Sequence, residues 1–107
     1  MTIYDLYGFS SADIDKAKSI LETALGIRFV AHSGSYHGDR YFIFGDDEGE
    51  HFVLKQNVDP FDDEPAEMDY PEHPILLYVN DTSRSVDLQK IIAKKAEGFV
   101  LLRHEEL

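Results

Sequence analysis

The stretch SSADIDKAKSILETALG, residues 10–26, decides the fold. Its apolar residues fall at Ile14, Ala17, Leu21, Ala24 and Leu25, spacings that place them on one face of a helix. Lys16, Lys18 and Glu22 occupy the other face. Ser10 and Ser11 offer an N-cap, and Asp13 and Asp15 fall in the first turn, where the helix dipole favours acids. Gly26 supplies the left-handed residue that ends a helix. A helix is therefore expected over Ser11–Leu25.

The segments around it read as strands. Thr2–Phe9 carries Ile3, Tyr4, Leu6, Tyr7 and Phe9 with a single charge among them. Ile27–His32 and Arg40–Phe44 follow, separated by turn chemistry at Ser33-Gly34-Ser35 and His37-Gly38-Asp39. A hairpin loop at Gly45–Gly49 leads into a fourth strand, His51–Gln56. Asn57–Pro74 contains four prolines, so no periodic element survives there, and a long loop is expected, of the kind that is functional or mobile. Ile75–Val79 suits a buried strand, and Asp81-Thr82-Ser83 offers helix caps. Val86, Leu88, Ile91, Ile92 and Ala96 form a second helical stripe ending at Gly98. Phe99–Leu102 reads as a last strand and Arg103–Leu107 as a polar tail. The fold class expected is α+β: one domain, residues 1–107, with a largely antiparallel sheet and two helices on one side. Its order is β-α-β-β-β-(long loop)-β-α-β.

Apolar residues make up 43% of the 107, enough for an ordinary core. There is no cysteine, which removes disulfides, thiol catalysis and cysteine-based zinc sites. The first residues lack a basic segment followed by an apolar one, and no apolar run reaches membrane-spanning length. A cytoplasmic location is expected.

The formal charge is −11, from 21 acids and 10 bases. Such a charge repels nucleic acid and anionic membrane surfaces, and it speeds association with a cationic partner. Its distribution is uneven. Eleven acids lie between Asp46 and Glu72: Asp46, Asp47, Glu48, Glu50, Asp59, Asp62, Asp63, Glu64, Glu67, Asp69 and Glu72. Lys55 is the one base in that stretch, while the rest of the chain is almost neutral. Phe61, Met68 and Tyr70 are embedded among these acids. Charge that steers encounter, combined with aromatics that supply affinity, suits a protein interface. The plainer reading is a solvated acidic loop that keeps the protein soluble.

Motifs for catalysis are lacking. The sequence has no G-x-S-x-G, P-loop or G-x-G-x-x-G, and the acids fit no EF-hand spacing. His32 and His37 flank a turn, but no H-E-x-x-H or third ligand accompanies them. No catalytic residue, metal site or cofactor is expected.

Two resemblances follow from these features. The β-α-β-β-β order over Thr2–Gln56 resembles one module of the vicinal-oxygen-chelate (glyoxalase and bleomycin-resistance) fold. Metal-dependent members of that family carry His and Glu ligands on the first and fourth strands. Here the first strand has neither, and the fourth offers His51 and Glu50 at its start. That resemblance implies a metal-independent protein binding a small cationic ligand. In size, acidity and lack of catalytic motifs, the whole chain resembles bacterial immunity proteins of contact-dependent growth inhibition systems. This second resemblance implies a protein that neutralises one cognate basic toxin domain, a nuclease. Asp46–Glu50 and Asp59–Glu72 would then fill the toxin's nucleic-acid-binding cleft.

Overall fold

The computed structural model describes residues 2–33, 40–46, 48–59 and 61–107. In chain order the elements are β1 (Ile3–Phe9), α1 (Ile14–Leu25), β2 (Val30–His32), β3 (Tyr41–Gly45), β4 (His51–Gln56), β5 (Ile75–Thr82), α2 (Ser85–Lys95) and β6 (Phe99–Glu106). The strands form one antiparallel sheet in the order β2-β3-β4-β5-β1-β6. The α+β class and the expected element order both hold. The glycine-rich turn residues 34–39 lie outside the described residues.

Alternation along the strands sorts side chains onto two faces. Tyr7, Phe9, Phe52, Leu54, Ile75, Leu77, Val79 and Phe99 form one core with Ile14, Ala17 and Leu21 of α1 and Leu88 and Ile92 of α2. Burying each of these large side chains contributes ~1.5–3 kcal/mol before the entropy of ordering is counted. The opposite face carries two cross-sheet rows in register: Lys55, Leu76 and Gly8, then Val53, Tyr78, Leu6 and Arg103. Leu6 and Leu76 are fully buried although neither touches the helical core. What covers this second face is the proline-rich segment 57–74.

Several boundaries differ from those expected. Helix α1 begins at Ile14 because Asp13, not Ser10 or Ser11, is its N-cap: the Asp13 carboxylate accepts the Lys16 amide. Ser11 instead accepts the Asp13 amide. Gly26 closes the helix at φ 66°, as its sequence position implies. Ile27 and Phe29 are buried ahead of β2, and the Phe29 amide donates to Glu22, so the chain reaches the sheet only at Val30. Strand β5 runs on to Thr82 through residues read as helix caps. Arg103–Glu106, read as a polar tail, continues β6 beside β1, and Leu107 exchanges two backbone hydrogen bonds with Thr2. Neither helix among the described residues is long and apolar enough to cross a membrane.

Candidate functional site

The acidic region is built at both ends of β4. One part is the β3–β4 turn. There Asp46 accepts the Glu48 amide through its side chain and the Gly49 amide through its carbonyl. The other part is the 57–74 segment, which leaves β4 at Gln56 and enters β5 at Ile75, residues paired across the sheet. His51 and Gln56 stand five strand steps apart, about 17 Å at ~3.3–3.4 Å per residue. Acids contiguous in sequence thus leave β4 at opposite ends.

Segment 57–74 is held by three anchors. Buried Asn57 donates from Nδ2 to the carbonyls of Tyr70 and His73, at 2.9 Å each, and its Oδ1 accepts the Glu67 amide. Glu67 drops onto the second face between Tyr78 and Arg103, which flank Leu6 in one row. The Tyr78 hydroxyl donates to it at 2.6 Å and Arg103 Nη1 at 3.0 Å. The Tyr70 hydroxyl donates to the Leu102 carbonyl at 2.9 Å. His73 packs on Gly8, where a Cβ would lie 2.6 Å from the imidazole Cγ, closer than real contacts allow. Gly8 is therefore the floor that lets the loop lie flat on the sheet.

Electrostatics sort the acids. Burial alone would raise the Glu67 carboxyl. Hydrogen bonds from Tyr78 and Arg103, with the charges of Arg103 and Lys55, outweigh it and hold the group below the usual carboxylate range. Lys55, buried under the loop, is pushed down by desolvation, and Glu67 and Asp59 oppose that push. Glu50 takes a forked pair from Arg84, with Nη2 at 2.7 Å and Nε at 2.9 Å, and a hydroxyl from Thr82 at 2.7 Å. The Arg84 bond is the main cause of its lowered carboxyl. Glu50 and Glu67 are thus internal ties of the fold.

The remaining acids face solvent. Asp46, Glu48, Asp62, Asp63, Glu64, Asp69 and Glu72 are exposed. Asp47 lies outside the described residues. Half-buried Asp59 organises a tight turn: its side chain accepts the Phe61 amide, its carbonyl the Asp63 amide, and its own amide donates to the Glu64 carbonyl at 2.7 Å. Asp62 accepts the Glu64 amide, and Asp63 adopts φ 59°, a conformation that aspartate tolerates better than most residues. This turn carries Phe61 with 79% of its surface exposed, and Met68 beyond it is 66% exposed. Tyr70, by contrast, is half-buried and spends its hydroxyl on Leu102.

A second polar cluster escaped the sequence reading. Asp5, fully buried on β1, accepts Ser85 Oγ at 2.5 Å and meets His104 Nδ1 at 2.5 Å, while Gln89 donates to Ser85 at 3.0 Å. The Asp5 hydrogen bond raises the affinity of His104 for its proton, with Glu106 adding to it. Ser85 Oγ donates to the Asp5 carboxylate and lies 3.5 Å from His104 Nδ1, so the cluster ties together β1, β6 and the start of α2 as a clasp. The one charge in an otherwise apolar β1 was the available signal. Among the described residues no three His, Asp or Glu side chains converge as a metal site.

Comparison with protein-family models and with curated proteins returns no match for this chain.

Proposed function

We propose that this protein is an immunity protein. It binds a cognate basic toxin domain, a nuclease, and occludes the cleft where nucleic acid would lie. It acts in the cytoplasm by occupancy, without turnover. The observation that carries this reading is the self-capped turn at 59–64, which presents Phe61 beside Asp62, Asp63 and Glu64. Exposed carboxylates steer a cationic partner, and an exposed aromatic supplies affinity once desolvated. The contact set is Asp46, Glu48, Asp62, Asp63, Glu64, Asp69 and Glu72 with Phe61 and Met68. Asp47 joins it by sequence. Glu50 and Glu67 support that surface from within, because their carboxylates are already taken by Arg84 and Arg103.

The test is capture from the source cell at low and high salt, with partners identified by mass. The expected result is one basic domain, bound 1:1 and weakened by salt. Reversal of Glu64, Asp69 and Glu72 to lysine spares the turn's caps and should slow association about tenfold or more. Phe61→Ala should act mainly on dissociation. No protein captured at low salt, with saturable binding of a small organic cation instead, would overturn the reading.

A further inference from the structure

Strand β6 is an outer strand of the sheet, eight residues long. Leu107 and Thr2 exchange both backbone hydrogen bonds, and the register of β6 on β1 runs unbroken from Glu106 to Arg103. Bonding in an antiparallel ladder alternates, so Arg103, Glu105 and Leu107 direct their backbone groups at β1. His104 and Glu106 direct theirs outward. An open ladder of this kind is a template for another strand.

We propose that a second copy of this chain docks on this edge, antiparallel, about a two-fold axis through His104. The outward groups belong to even-numbered residues, so a symmetric pairing must match even with even. Three registers satisfy this around the exposed stretch. Centring on Arg103 sets arginine against arginine, and centring on Glu105 sets glutamate against glutamate. Centring on His104 sets Arg103 against Glu105 of the second copy, twice, in the closer non-hydrogen-bonded pairs, with Cα atoms about 4.5 Å apart. Centring on Glu105 also sets His104 against Glu106, and centring on His104 sets His104 against itself, but only the His104 register gives the permanently charged Arg103 a carboxylate partner, twice. Arg103 already serves Glu67 and Glu105 of its own chain. The five donors of a guanidinium leave capacity for a third carboxylate. The joined sheet has twelve strands, with both 57–74 segments on one side. This proposal is independent of the toxin reading, since it uses a different edge and a different partner.

Sedimentation velocity over a concentration series tests it, at about 0.3 M salt so that the two −11 charges are screened. The expected result is a concentration-dependent dimer. Glu105→Lys sets lysine against Arg103 at both ends and should weaken the dimer about tenfold. Glu106→Pro removes an outward amide at each end, a substitution that edge strands tolerate, and should abolish dimerisation while the circular dichroism and melting of the monomer are retained. A monomer at all concentrations, or a dimer that both variants leave intact, overturns the proposal. Should Glu106→Pro unfold the chain, Glu105→Lys, on a half-exposed side chain outside the core that is tied to Arg103, decides alone.

Discussion

Glu67→Ala separates the acid that seats the loop from the acids that face solvent. The Glu67 side chain is 19% exposed and accepts the Tyr78 hydroxyl at 2.6 Å and Arg103 at 3.0 Å. A hydrogen bond to a charged acceptor contributes ~1.5–3 kcal/mol. The Arg103 pair is discounted to roughly 0.5–1 kcal/mol, because its guanidinium is 37% exposed and screened. Truncation also strips Lys55 of one of its two compensating charges. The expected loss is ~2–3 kcal/mol. Equilibrium urea unfolding reads it as a midpoint lowered by about 1–2 M at unchanged slope. Glu64→Ala, an exposed acid on the same segment, should stay within about 0.5 kcal/mol of the parent. The pH dependence has a definite sign. A carboxyl lowered in the folded state contributes above its unfolded value, ~4.3, and loses that contribution as pH falls through the folded value. The gap between parent and Glu67→Gln should therefore close as pH drops from about 5 towards 3. Equal midpoints for Glu67→Ala and Glu64→Ala would refute the division of the acids into ties and contacts.

Three further outcomes are expected. The clasp at His104 titrates in the opposite sense: its raised imidazole contributes stability fully below the unfolded value, ~6.5, and loses it as pH rises through the folded value. Melting of His104→Gln should therefore fall short of the parent most at pH 5–6 and least at pH 9. Gly8→Ala drives a methyl into His73 and Leu102 and should cost ~1–3 kcal/mol by overpacking, and an unshifted melting temperature would contradict the close seating of the loop. Arg84→Ala frees Glu50 and should cost about 1 kcal/mol or less, since the arginine is half exposed. Its signature should be faster amide exchange in the β3–β4 turn without a change across β1.

Much of the fold was legible because its signals are local. The 3.6-residue spacing from Ile14 to Leu25 and the left-handed Gly26 mark α1 without reference to any other segment. Alternation at Phe52 and Leu54 marks β4 with both ends correct. Arg103–Glu106 was misread because an outer strand needs few apolar residues: its backbone pairs with β1 while its side chains stay polar. The N-cap lies at Asp13, an acid read as belonging to the first turn, because an aspartate there can cap as well as the serines before it, and only the chain's approach to the core selects among them. The acidic region was legible as a concentration of charge. Its internal division was not, because the arginine partners of Glu50 and Glu67 stand 34 and 36 residues away in sequence. The clasp spans 99 residues between Asp5 and His104, beyond the reach of any local pattern.

The place of β1 in the sheet has a kinetic consequence. The strand met first along the chain bonds only to β5 and β6, the two met last, while β2, β3 and β4 pair in sequence as a meander. Loop-closure entropy must be overcome before those distant pairings return any free energy, which places folding towards the slow, millisecond-to-second end for a domain of this size. Until β5 and β6 arrive, the apolar Leu6, Tyr7 and Phe9 have no sheet to join. A chain in which β5 and β6 have yet to form therefore exposes a sticky, unpaired strand.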